Sequence, residues 1–290
     1  VLMVLPVCGV LFAQEVTEVP KFSRISGGYL NPVPDQYGNR IPDFSYCGYK
    51  SSNVPIPDLP VTLVVPRPEE DATILLQSAI DHVASLIPGP NGFRGVILLE
   101  PGIYRLKGRL TIRESGIIIR GSGMDEQGTT LLAEGVDRMT LIRISGKDDR
   151  RAGPEYDIKD SFVPVNAFQF RISDAHTLSS GERIMVQRPS TPEWIDLLGM
   201  NEFGGETEWL GWKPGQRDIC WYRTVTAVDG DMITVDAPLT MSLDKNFGGG
   251  KVIPFKWYGR ISHIGIENLR LQSAYDRTNP KDESHCWMAV

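Results

Sequence analysis

Residues 94–123 read RGVILLEPGIYRLKGRLTIRESGIIIRGSG, and residues 128–135 and 139–146 continue as GTTLLAEG and MTLIRISG. Short β-branched runs recur here: Val96–Leu99, Leu110–Ile112, Ile117–Ile119, Thr130–Leu132 and Thr140–Ile144. None is long enough for a helix, and glycine-containing turns separate nearly all of them, so each reads as a buried strand ending in a tight corner. Ile117 and Thr140 stand 23 positions apart. A return after that distance is one coil of a solenoid, within the ~20–50-residue range of repeat architectures. An antiparallel sandwich, with strands every ~8–12 residues, is the competing arrangement.

Working outward, residues 71–87, DATILLQSAIDHVASLI, form the one clear helix pattern. Asp71 is a suitable N-cap. Leu75, Ala79, Val83 and Leu86 fall at helical spacing, with Ile80 and Ile87 widening the stripe. Pro88, Gly89 and Pro90 end it. Such a helix is placed to cover the apolar end of a solenoid, which needs capping; His82 reads as a surface residue.

The helix followed by GVILLEPGIYRLKGRLTIRESGIIIRGSG resembles the entry to the pectin-lyase-like right-handed β-helix superfamily. The resemblance rests on a Pro-Gly-Tyr corner (Pro101, Gly102, Tyr104, with no residue between the proline and the glycine) and a later Gly-x-Gly corner (Gly121, Gly123). It covers about residues 71–146 and resumes at 259–272. It implies a fold more than a reaction, since one scaffold carries many chemistries. Pectate lyases of this type use Ca²⁺ held by acidic residues with an arginine base, but that pattern does not map onto these residues, and neither does the paired-aspartate pattern of β-helix polygalacturonases. Apart from Ca²⁺ for a lyase, no cofactor or metal is implied.

The chain of 290 residues is 41% hydrophobic, has a formal net charge of −6, and contains 29 glycines and 21 prolines, as a chain of many corners should. The charge gives no footprint for nucleic acid and argues against a generally attractive surface for polyanions, although a local basic groove remains compatible with it. Residues 1–13, VLMVLPVCGVLFA, are too short to span a bilayer and read as the core of a clipped secretory signal. The expected location is therefore secreted, periplasmic or at the cell surface. Cys8, Cys47, Cys220 and Cys286 show no metal spacing and are expected to be buried thiols.

Residues 14–68 read as an extended strap, too aromatic for a disordered linker, with Tyr46 and Tyr49 as an alternative sugar-stacking lip. Residues 69–150 hold the helix and first coils, with 147–159 a solvated charged loop. Residues 158–256 change rhythm: Phe170 and Ile172, then Ile184 and Val186, alternate with polar residues, and Asp229-Gly230 marks a hairpin. This reads as an antiparallel β-module inserted between coils. Residues 257–290 resume the solenoid, with Ile264, Ile266, Leu269 and Leu271 inward, and stop without a cap, as the N-terminal part of a longer protein would. The expected fold class is all-β: a right-handed parallel β-helix with an N-terminal capping α-helix and an inserted antiparallel β-module.

Chemistry concentrates in residues 192–223, which contain Trp194, Trp209, Trp212 and Trp221 among interleaved carboxylates. Flat aromatic faces beside hydrogen-bonding groups suit a pyranose ring. Trp209, Trp212 and Arg217 are the candidate sugar contacts; Trp221 opens a strand and reads as core. Glycoside hydrolysis needs two carboxylates, for which Glu206 and Glu208 are candidates. Asp282 and His285, close together near the end, are others. The expectation is a carbohydrate-active protein, monomeric and not membrane-spanning, that takes an acidic poly- or oligosaccharide by β-elimination or hydrolysis. The alternative is a non-catalytic polysaccharide-binding or adhesin-type surface protein.

Overall fold

The computed structural model describes residues 23–26, 29–135, 139–204, 210–275, 278 and 289–290. The chain divides into two compact units, one of residues 1–44 with 154–254, the other of 45–153 with 255–290.

In the second unit the runs read from the sequence form parallel sheets. Gly95–Leu99, Gly102–Leu106 and Leu110–Ile112 each enter a different sheet. The next three strands, Ile117–Arg120, Thr129–Ala133 and Ile142–Ile144, pair with them in the same order. Gly265–Glu267 and Leu269–Ser273 then stack in parallel on Ile117–Arg120 and Thr129–Ala133. The backbone N–H of Ile142 donates to Ala289, which takes the corresponding place beside the third sheet. Val61–Val65 precedes Gly95–Leu99 in the first sheet. Parallel strands buried on the inward side read as continuous β-branched runs, which is why 94–146 looked as it did. The inward side chains, including Ile97, Leu99, Leu106, Leu110, Ile112, Ile117 and Leu131, are each at most 1% exposed. Tyr104 is fully buried among them, its hydroxyl donating to the carbonyls of Val65 (2.7 Å) and Glu100 (3.2 Å). Burial pushes its pKa up to about 12.

Helix α1 (Thr73–Ser85) packs into this core through Leu76, Ala79, Ile80 and Val83. The expected stripe is thus corrected by one position. Leu75 is 39% exposed because the face that packs on the sheets is 76, 79, 80 and 83, and Ile87 is 91% exposed because the helix ends at Ser85 before reaching it. Asp71 lies two residues before the helix rather than at its cap. Its Oδ1 accepts from the backbone N–H (3.0 Å) and hydroxyl (2.6 Å) of Thr73, which pins the first turn.

The segment at 49–59 packs outside the first sheet: Tyr49, Ile56 and Leu59 cover Phe93, Val96 and Ile118. Arg120 holds it there, reaching Asp58 at 2.9 Å and Glu267 at 2.7 Å. Tyr49 therefore packs on the body, whereas Cys47 and Cys220 are exposed and not the buried thiols expected.

The other unit is antiparallel. Its strands lie in the order Tyr156–Asp157, Lys251–Lys256, Arg183–Arg188, Ile219–Asp229, Met232–Val235, Gln169–Arg171. Asp229 pairs with Met232, so the tight turn is Gly230-Asp231, one residue later than the Asp229-Gly230 signal, with Gly230 at φ +60°. Phe170, Ile172, Ile184 and Val186 point into one core with Trp221, whose Nε1 donates to Thr240.

Candidate functional site

Along Leu110–Ile112 the side chains of Leu110 and Ile112 are buried, so strand alternation turns Thr111 and the flanking Arg109 and Arg113 outward. Parallel pairing sets Thr111 opposite Arg143 and Leu110 opposite Ile142, one rung of ~4.8 Å away. Arg143 is therefore exposed on the same face, with Ser145 and Lys147 further along.

A third segment closes the wall. The backbone N–H of Lys147 donates to Gly259 (3.0 Å), that of Gly259 donates to Asp149 Oδ1 (2.8 Å), and Trp257 Nε1 donates to the Lys147 carbonyl (2.6 Å). Gly146 makes this approach feasible, since a Cβ there would stand 1.9 Å from the Gly259 carbonyl oxygen. The stretch from Lys147 that read as a solvated loop is thus in part a wall of the site. Tyr258 projects from the third segment, 73% exposed. Behind it the guanidinium groups of Arg150 and Arg260 lie 6.0 and 5.7 Å from the centre of the Trp257 ring.

The cavity so formed measures about 680 Å³, within the usual size range of ligand sites. Arg109, Arg113, Arg143, Lys147 and Arg260 line it, and Glu114 is the lining carboxylate among the described residues. Glu114 is already held by Arg94 at 3.4 Å. Among the described residues no carboxylate forms an ion pair with Arg109, Arg113, Arg143 or Lys147. A chain of net charge −6 thus carries one locally cationic concavity, where the field of like charges is focused.

A second hollow of about 400 Å³ continues from it, sharing Thr111, Arg113 and Glu114 and bounded by Gln77, Asp81 and Ser85 of α1. Arg94 borders this end, but its guanidinium is occupied by the carbonyls of Ser115 and Leu86 and by Glu114.

The candidates from the sequence fall elsewhere. Trp212 and Arg217 lie in the antiparallel unit and come together with two residues the sequence did not single out as contacts. Trp194 stacks on Trp212 with ring centres 5.9 Å apart and planes 28° from parallel. Arg188 lies 4.3 Å over Trp194, and Arg217 lies 5.3 Å over Trp212. Arg188 is 5% exposed, and burial holds its guanidinium below its ordinary pKa. Local hydrogen bonds set the array. Thr191 caps the short helix α2 (Pro192–Leu197) that carries Trp194. Asp218 accepts from the backbone N–H and hydroxyl of Ser190, both at 2.8 Å, and from Gln187, anchoring the return strand next to Arg217. A sugar stacking on Trp212 would have to compete with Trp194 and Arg217 for the ring.

Trp209, Glu206, Glu208, Asp282 and His285 lie outside the described residues. Among the described residues no group of three or more His, Cys, Asp or Glu is placed to hold a metal ion. The cleft, with its one paired carboxylate, does not fit the Ca²⁺ that a lyase of the resembled type would need. No described helix is long and apolar enough to cross a membrane.

No protein-family model matches the chain, and no curated protein matches it. Solved structures similar to it include phage tailspikes. One is the Gp54 tailspike of Acinetobacter baumannii bacteriophage AP22 in complex with A. baumannii capsular saccharide, at 10% identity and TM-score 0.36, covering 71% of this chain and 27% of that one. A second is tailspike gp61 of Pseudomonas phage phi297, at 12% identity and TM-score 0.30, covering 68% and 27%. A third is tailspike gp49 of Pseudomonas phage LKA1, at 14% identity and TM-score 0.33, covering 68% and 26%. The chain spans about a quarter of the length of these proteins. Likeness at this level leaves the chemistry of the site to be argued from the residues themselves.

Proposed function

We propose that this chain binds an acidic polysaccharide in the cleft on the outer face of Leu110–Ile112 and Ile142–Ile144. The observation that carries the reading is the meeting of five cationic side chains from three separate segments around a cavity whose one described carboxylate is already paired. Carboxylates or sulfates along a sugar chain answer such a surface, and exposed Tyr258 offers a face for a pyranose C–H side. In this reading the parallel unit is the opening of a right-handed β-helix capped by α1, with residues 158–256 inserted between its coils. Residues 1–13 act as an export signal, which places the protein outside the cytoplasm.

The function proposed for the described residues is binding. Hydrolysis calls for two carboxylates and β-elimination for a base beside a neutralising cation. The cleft supplies cations in plenty but no carboxylate pair, which favours the non-catalytic reading over a hydrolase acting here.

The test is calorimetric titration with uronate-containing and uncharged hexasaccharides. The acidic ligands bind, and their affinity falls as ionic strength rises, because the contacts are solvent-exposed charges. Equal affinity for charged and uncharged ligands would overturn the proposal.

A further inference from the structure

Resting on that reading, we infer that the polysaccharide is a heteropolymer in which acidic sugars are interrupted by neutral ones, rather than a homopolymer charged at every residue. The argument is the change of character along one continuous groove. Its wider end presents Arg143, Lys147 and Arg260, and the carboxylate that reaches this wall, Asp149, accepts from the Gly259 N–H at 2.8 Å. The junction of Thr111, Arg113 and Glu114 belongs to both hollows, so an extended ligand can run from one into the other.

Beyond the junction the cationic excess is gone, Asp81 and Glu114 being set against Arg94 and Arg113. Asp81 on α1 is exposed, and its carboxylate accepts from Gln77 Nε2 at 2.8 Å. Arg94 is the neighbouring cation, and its guanidinium already donates to two backbone carbonyls and to Glu114. The amide of Gln77 is likewise engaged, its Nε2 donating to the Thr111 carbonyl and its Oε1 accepting from the Thr111 N–H. This end therefore offers acceptors, the carboxylates of Asp81 and Glu114, and the small hydroxyl of Ser85. A uronate placed there would meet the carboxylates of Asp81 and Glu114 as well as the Arg113 guanidinium, with no cationic excess to draw it in. A neutral hexose or N-acetylhexosamine, rich in O–H and N–H donors, meets partners it can satisfy. Like charges held close in a cleft are disfavoured, so the α1 end acts against a uniformly anionic chain.

The experiment compares two hexasaccharides of equal length on the full chain, an alternating uronate–N-acetylhexosamine oligomer and hexagalacturonate, each with the parent and with Asp81→Asn and Asp81→Lys. The expected result is at least tenfold tighter binding of the alternating oligomer by the parent. That gap narrows with Asp81→Asn and closes or inverts with Asp81→Lys, through gains on hexagalacturonate. Equal or tighter binding of hexagalacturonate by the parent, or a gap untouched by both substitutions, would overturn the inference while leaving acidic-polysaccharide binding in place. Binding of neither ligand would overturn the proposed function and this inference with it.

Discussion

Thr111 stands directly opposite Arg143 in the parallel pairing of Leu110–Ile112 with Ile142–Ile144. That register decides the site. With Leu110 and Ile142 both inward, the outward row on one rung is Arg109, Thr111 and Arg113, and Arg143 on the next rung joins the same face. A slip of one residue would turn Arg143 into the core and Ile142 out to solvent. The burial that stabilises the parallel sheets and the charge that forms the cleft are two sides of one alternation.

The packing of α1 is tested at Val83, which is fully buried against the core of the parallel sheets. Val83→Asp places a carboxylate without a partner in that core, at a cost on the order of 3 kcal/mol or more, a large part of the stability of an ordinary domain. Thermal melting should show a large fall in Tm or loss of the cooperative transition. By contrast, Leu75→Asp, at a position 39% exposed, should move Tm little. Equal effects at the two positions would contradict the observed face of the helix.

Tyr104 predicts a pH dependence. Burial raises its pKa from the ordinary 10.0 to about 12, so the folded state keeps the phenol protonated where the unfolded chain has lost the proton. Its contribution is complete below pH 10 and is lost as pH rises from there through about 12, by on the order of 2–3 kcal/mol in all. Urea unfolding between pH 9 and 12 measures this. In Tyr104→Phe the alkaline decline should be shallower, with a lower starting stability because the hydrogen bonds to Val65 and Glu100 are gone.

Trp212 separates a structural role from a sugar contact. If the Arg188–Trp194–Trp212–Arg217 array chiefly supports the antiparallel unit, Trp212→Ala should cost about 1–3 kcal/mol, as a half-buried aromatic pair does. Affinity for acidic oligosaccharides should then stay within twofold of the parent. A tenfold loss of affinity at unchanged Tm would make Trp212 a sugar contact, as its flat ring among carboxylates first indicated.

The parallel strands were legible in the sequence because buried parallel strands leave a continuous signal, β-branched runs between glycine corners. The spacing of 23 from Ile117 was not the coil, since Ile117 pairs with Gly95, Thr129 with Gly102 and Ile142 with Leu110, at unequal separations and in three different sheets. The inward side of Leu269 and Leu271 followed from the same rule. The exact face of α1 was not legible. Ile74, Leu75 and Leu76 are three consecutive apolar residues, and which of them is buried is set by the face that packs on the parallel sheets, not by their own hydrophobicity. The cleft was half legible: Arg109, Arg113 and Arg143 could have been read as outward positions of their strands. Its other wall could not. Gly259 and Lys147 are 112 positions apart, and nothing local in either segment announces that they meet at the close approach allowed by Gly146. Conspicuous tryptophans drew attention to residues 192–223, whereas Trp257, beside Arg150 and Arg260, lies next to the cationic surface.

The most direct measurement is the affinity of Arg143→Glu for an acidic hexasaccharide, set beside that of the parent at low and at physiological salt. Arg143 is exposed, so the substitution should leave Tm nearly unchanged. The account predicts at least a tenfold loss of affinity, about 1.4 kcal/mol, and a weaker dependence on salt than the parent shows. Parent-like affinity and parent-like salt dependence in a folded Arg143→Glu protein would contradict the assignment of this cleft as the polysaccharide site.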